Sequence, residues 1–256
     1  MEPKYRIIRF EWEQGTRYGL LEGDEVISIK GSIYENFERG PKLCNLSDVK
    51  LLPPVRPNYV VGVGGNYWSV VKQVGKEPTN QPMLWGRPGS SAVGHMESVV
   101  YPATSRRVNY GIELTAVMKR DTWNVPEDKA LDYVLGYTCG HDMTAWDLMA
   151  EDEGSQTRAK GFPWGQPLGP CVSIGLDISK LRLQSKINGE LVQHGVTDDL
   201  IFSIPKLISY ISKYILLGPG DCILTGQPQT NIVQVGDVIE SEIEGIGVLR
   251  NEIVAG

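Results

Sequence analysis

Apolar and polar positions alternate with a period of two in several short runs along the chain, the pattern of half-buried strands. Tyr5 to Trp12 is strand-like, Gln14-Gly15 offers a turn, and Tyr18 to Leu21, Glu22-Gly23-Asp24-Glu25 and Val26 to Ile29 repeat strand, turn and strand. The spacing predicts a small β meander. Leu51 to Pro57 then reads as an extended, proline-rich linker. This predicts a small N-terminal β unit over residues 1–52 and a larger domain over 56–256. In the larger part Leu181, Leu183 and Ile187 alternate with Arg182, Gln184 and Lys186 and run into Asn188-Gly189, a strong hairpin signal. Asp237 to Glu244 alternates as well, with Glu240, Glu242 and Glu244 on the wet face.

Helical periodicity is confined to two places. Asn124, Pro126, Glu127 and Asp128 carry cap and first-turn chemistry for a helix through about Val134. Ser203 opens a second, whose Leu207, Ile208, Ile211 and Ile215 form an apolar stripe ended by Gly218-Pro219-Gly220-Asp221. Many short strands with few helices predict a mixed, β-rich α/β architecture, because the regular alternation of a doubly wound sheet is absent.

Composition narrows the function classes. The chain has 256 residues, 41% hydrophobic and 22% charged, and a net charge of -6 that argues against a nucleic-acid partner. No apolar run reaches the length of a membrane span and the start lacks a signal-type segment, so a cytoplasmic protein is expected. Cys44, Cys139, Cys171 and Cys222 are far apart with no Cys-x-x-Cys spacing, which reads as structural thiols. Gly62-Val-Gly-Gly65 lacks a P-loop's Gly-Lys-Ser/Thr, so no nucleotide or organic cofactor is expected.

One strand-like stretch carries the chemistry. In Asn109-Tyr-Gly-Ile-Glu-Leu-Thr115, Glu113 stands two residues after Gly111. Residues i and i+2 of a strand share a face, so a second carboxylate at 111 would aim two hard oxygen ligands at one divalent ion. Gly111 supplies none.

The order of short motifs over nearly all of residues 55–254 resembles the fumarylacetoacetate hydrolase family. The carrying residues are Gly64-Gly-Asn-Tyr67, Arg87-Pro88, Tyr110-x-x-Glu-Leu114, Gly136-Tyr-Thr-x-x-x-Asp142, Arg158-x-Lys160 and Pro167-Leu-Gly-Pro170. Ile187-Asn-Gly-Glu190, Thr197-x-Asp199, Leu224-Thr-Gly-x-Pro228 and Ile243-Glu-Gly-Ile-Gly-x-Leu-Arg-Asn251 continue the match. The first fifty residues resemble the small meander that many members carry. The resemblance implies a β-roll of mixed sheets, a homodimer, and a small-molecule substrate of oxo-acid or 1,3-dicarbonyl type handled with Mg²⁺ or Mn²⁺. It places the metal ligands at Gly111, Glu113 and Asp142, so the first is lost and metal binding is weakened rather than forbidden. It places the site lysine at Lys160 and marks Tyr67, Arg87, Trp164, Thr225 and Gln227 as substrate-binding candidates. Gln227 replaces the usual threonine of the Thr-Gly-x-Pro turn, and Trp68, Trp85, Trp146 and Trp164 are expected around one apolar cleft. His141, beside Asp142, points to the opposite strand face and is expected to be structural. The water-activating His and Glu of hydrolytic members fall at Val70 and Gln73, which cannot act as bases.

Three readings follow. The first is an enzyme that keeps an enolate-handling wall of Lys160, Glu113 and Asp142 but has dropped water attack, leaving isomerisation, tautomerisation, decarboxylation, or a ring-forming or C–C-cleaving step. The second is a Mg²⁺-dependent C–C bond hydrolase of the acylpyruvate or fumarylacetoacetate type, with a carboxylate from Glu151-Asp152-Glu153 as the stand-in ligand. The third is a non-catalytic binding protein on the same fold. If Lys160, Glu113 and Asp142 serve function alone, substituting each by Ala should leave thermal stability unchanged or raise it.

Overall fold

The computed structural model describes all residues except Met1, Gln14, Val74 and Lys76; the Gln14 half of the expected Gln14-Gly15 turn therefore lies outside the described residues. Tyr5–Trp12, Gly15–Glu22 and Glu25–Gly31 form the expected meander, and Gly23 turns the second strand into the third at φ 58°. A fourth strand, Phe37–Asn45, extends it. Its sequence, Phe-Glu-Arg-Gly-Pro-Lys-Leu-Cys-Asn, has no alternation to betray it, and its pairing with Glu25–Gly31 shifts register twice.

The meander does not stand apart. Tyr5–Trp12 pairs antiparallel with Gln166–Ile174, and one sheet continues through Val134–Ala145, Val108–Met118, Cys222–Leu224, Tyr59–Gly64 and Met83–Pro88. A second sheet orders Glu190–Val196, Arg182–Ile187, Val238–Ile243, Gly247–Ala255 and Val99–Tyr101. Both sheets are mixed, since Cys222–Leu224 runs parallel to Tyr59–Gly64 and Gly247–Ala255 parallel to Val99–Tyr101. The Asn188-Gly189 hairpin forms as expected between Arg182–Ile187 and Glu190–Val196, with both turn residues at positive φ.

The helices are shorter than the periodicity suggests. Ser203 caps Ile204–Ile211 by accepting from the Lys206 N–H, and Ile204, Leu207, Ile208 and Ile211 are its buried stripe. The helix stops before Ile215. The expected helix after Asn124 is a 3₁₀ segment, Glu127–Tyr133. Trp68–Gln73, Trp146–Glu151 and Thr157–Lys160 are further short helices, too brief to leave a 3.6-residue period in the sequence.

The strand Val108–Met118 is buried along its whole length, because one face packs on the second sheet and the other closes the site. Its free edge is divided. Asn231–Val233 pairs with residues 108–110 and Cys222–Leu224 with residues 115–117. In the gap the Gln193 side chain takes over, its Oε1 accepting from the Ile112 N–H and its Nε2 donating to the Tyr110 carbonyl. Thr225 still donates its N–H to the Leu114 carbonyl, and from there the loop of residues 226–230 arches over the middle of the strand instead of pairing with it.

Candidate active site

Strand register sets the geometry. Gly111 lies directly opposite Asp142 and Glu113 opposite Gly140, so the Glu113 and Asp142 side chains are diagonal neighbours on one face. A carboxylate at 111 would stand directly across from Asp142, a repulsive pairing that Gly111 removes. His141 is opposite Ile112 and faces the other way. Its Nε2 is 2.7 Å from Ser241 Oγ, which leads through Ser185 Oγ to Tyr110 Oη between the sheets. Burial without a charged partner pushes the imidazole down to about 3, so His141 is a neutral structural residue, as expected.

Asp142 is the hub of a buried charge cluster. Lys160 Nζ donates to both of its oxygens at 2.6 and 2.5 Å and to Thr144 Oγ1 at 2.8 Å. Arg87, 1% exposed, donates to Asp142 Oδ1 at 3.0 Å and to the Met143 and Gly165 carbonyls at 2.9 and 2.7 Å. Trp85 covers both cations, with the Lys160 Nζ 4.2 Å and the Arg87 guanidinium carbon 4.9 Å from its ring centre. Burial lowers the pKa of Lys160, opposed by Asp142, and brings Arg87 down to about 10. Glu113 Oε2 accepts from the Gly226 N–H at 2.6 Å. Burial, reinforced by the charge of Asp142, raises the Glu113 pKa well above the carboxylate range.

Arg87 is thus no solvent-facing substrate contact: it holds Asp142 in place. Thr225 is likewise structural, donating its hydroxyl to the Leu114 carbonyl at 2.8 Å while its own carbonyl takes Asn66 Nδ2. Tyr67 is fully buried near Glu113, whose charge adds to burial in raising the phenol, and its hydroxyl has no partner among the described residues. Gln227 lies over Gly111, and its buried Oε1 is also unpartnered. The four indoles do not converge. Trp85 alone touches the cluster, whereas Trp68 and Trp146 are exposed beside Lys72 and Arg107. Trp164 is 54% exposed and lines a groove with Arg9, Arg56, Pro57 and Ser90 that does not include Glu113, Asp142 or Lys160.

Of the acidic run expected to offer a stand-in ligand, Glu151 and Asp152 bind Arg158 at the surface, Asp152 bidentately at 2.5 and 2.7 Å, and Glu153 is exposed. Thr144 and the Gly226 N–H were not foreseen. Thr144 was findable, since it follows Asp142 by two in one strand and must share its face. Because Lys160 and Arg87 both pair with Asp142, the stability expectation for Ala variants also changes. Removing Asp142 strands two buried cations, at about 3–5 kcal/mol, whereas removing Lys160 leaves Asp142 its Arg87 partner and costs less.

Among the described residues no three His, Cys, Asp or Glu side chains gather at a metal-sized point. Glu113, Asp142 and the orphaned oxygens of Gln227 and Tyr67 are all hard oxygen donors, and two buried oxygens without partners are what a hard dication would satisfy. The residues fit Mg²⁺ or Mn²⁺.

Residues 59–254 match the fumarylacetoacetate hydrolase C-terminal family model, and residues 5–54 match a model described as Rv2993c-like, N-terminal. The chain belongs to the fumarylacetoacetate hydrolase family. Human mitochondrial oxaloacetate tautomerase FAHD2A is 33% identical over 81% of this chain and 70% of its own. A 2-hydroxyhepta-2,4-diene-1,7-dioate isomerase from Mycobacterium marinum superposes with a TM-score of 0.91 at 31% identity, over 98% of this chain and 99% of that one. Fumarylpyruvate hydrolase from Pseudomonas aeruginosa, in complex with Mn²⁺ and pyruvate, superposes at 0.73 and 29% identity over 81% of this chain and 92% of that one. The family thus joins isomerases and tautomerases of small oxo-acids to hydrolases, and includes members that take a divalent metal.

Proposed function

We propose that the chain is a tautomerase or isomerase of a small oxo-acid, with oxaloacetate the first substrate to test. The observation that carries this reading is Lys160: a buried ammonium held by Asp142 and Thr144, roofed by Trp85, in a cluster shared with Glu113. Moving a proton between the carbon and oxygen ends of an enol needs a proton carrier and stabilisation of the enolate, but no activated water. Lys160 supplies the carrier and Asp142 fixes its position. Val70 is aliphatic and Gln73 is an exposed amide, so the helix Trp68–Gln73 brings no base to the positions where hydrolytic members carry theirs.

Glu113 and Asp142 would hold a divalent cation, which when bound polarises the keto oxygen as a Lewis acid. Arg87 keeps Asp142 turned toward Lys160, and the apolar roof of Trp85 keeps water from the ammonium. The names of the human and Mycobacterium marinum relatives support proton transfer on an oxo-acid.

The test is exchange of the C3 protons of oxaloacetate with D₂O, followed by NMR. Wild type should accelerate exchange, and Lys160→Met should lose about 10²-fold or more of that rate, the scale of a positioned acid–base group. Exchange at the wild-type rate in Lys160→Met would sink the reading.

A further inference from the structure

The middle of the strand Val108–Met118 carries a matched pair of departures. Gly111 has no side chain at a position facing Asp142, and Gln227, on the loop that arches across the gap, lies where that side chain would be. A Cβ built on Gly111 would run into the Gln227 carboxamide and come within 2.7 Å of Gln227 Cβ. The two residues occupy one space.

Gln227 is also held ready without being used. The loop is anchored on both sides of it, by Gly226 N–H to Glu113 Oε2 at 2.6 Å and by Pro228 packed against Gly195. Yet its Oε1 is buried with no hydrogen-bond donor among the described residues, an unfavourable state for an amide with no other compensation. The fully buried Tyr67 hydroxyl is unpartnered in the same neighbourhood. Mere filling of the space above Gly111 would be served better by an apolar side chain of similar volume.

We propose that the Gln227 carboxamide oxygen is a ligand to a divalent cation held with Glu113 and Asp142, taking the place that a carboxylate at 111 would fill. Protein carbonyl and amide oxygens are ordinary ligands of hard cations, so the site keeps three protein oxygens. Its charge changes. Two carboxylates and an amide give the dication one less negative charge than three carboxylates, so the loaded site is one unit more positive toward an anionic substrate. The exchange trades cation affinity for attraction of a more highly charged oxo-acid.

This inference uses the cluster of the proposed reaction but not the reaction itself, and is read by titrating the full-length chain with Mn²⁺ by calorimetry. Two variants carry it. Gln227→Leu keeps the bulk over Gly111 and removes the oxygen, so its Kd for Mn²⁺ should rise at least tenfold. Gln227→Glu restores the third carboxylate and should lower the Kd at least tenfold, while melting earlier than wild type without metal and recovering on Mn²⁺ addition. An unchanged Kd in both variants, or no Mn²⁺ uptake by wild type at millimolar concentration, would overturn the assignment. C3 exchange that persists in chelator, together with no Mn²⁺ uptake, refutes the ligand and leaves the proton-transfer reading standing. Tight Mn²⁺ binding with no exchange does the reverse.

Discussion

Asp142 shows how one side chain serves structure and site together. With Lys160 on both oxygens and Arg87 on one, it cannot be judged functional or structural by burial alone, because its partners are themselves buried. The thiols are simpler. Burial raises Cys171 to about 11 from an ordinary 9.0, partly offset by Ser173, and drives Cys139 and Cys222 higher still. Below pH 9 both folded and unfolded thiols are protonated and the shift has no effect. Between 9 and 11 the unfolded thiol loses its proton while the folded one keeps it, so stability falls as pH rises. For Cys171 the loss reaches roughly 2 kcal/mol by pH 11. Urea unfolding at pH 8 and pH 10 should show a shallower alkaline decline for Cys171→Ala than for wild type, and parallel declines would contradict the burial argument.

At the scale of elements, the site depends on close approach between neighbours. Gly62, in Tyr59–Gly64, is paired with Trp85, and a Cβ there would press into the indole, with Cη2 at 2.6 Å. Gly62→Ala must therefore tilt the ring that covers Lys160. It should cost about 1–3 kcal/mol, in line with overpacking elsewhere, and slow proton exchange as well. Gly15→Ala, with nothing near its Cβ, is the control and should leave both unchanged. The strands themselves were legible: Val108–Met118, Arg182–Ile187 and Val238–Ile243 follow from alternation or motif order, and Glu113, Asp142 and Lys160 from the resemblance. The arch of residues 226–230 was not, because it arises from two short strands taking separate stretches of one edge. That is a tertiary event with no local period. For the same reason Gln227 was visible as an unusual residue, while its overlap with Gly111, 116 positions earlier, was not. Trp164 misled because nearness to a motif in sequence does not fix the direction of a side chain in a loop, here one at φ 55°.

Across the whole molecule, the large sheet passes without a break from the N-terminal meander to the strands of the site. The seam is narrow, with Tyr5, Arg6 and Ile7 paired to Ile174, Ser173 and Val172. Pro167 and Pro170 blunt the first half of Gln166–Ile174 as a pairing edge, since proline has no N–H to offer, but residues 171–174 have no such protection. The meander also brings Ile7, Ile8 and Phe10, all fully buried, to the core. A chain of residues 55–256 would therefore expose both an unpaired strand edge and the apolar surface those three residues cover. Removing the meander should make the chain aggregate, seen as a shift to the void volume in size-exclusion chromatography. A soluble truncated chain with the melting temperature of the full one would mean that the seam holds nothing. If instead the single substitution Ile7→Asp, at the seam itself, reproduces the aggregation in the full-length protein, the fault lies in the apolar burial at the seam and not in the mere loss of residues. The meander then acts as the cover of the sheet that positions Asp142, two strands away.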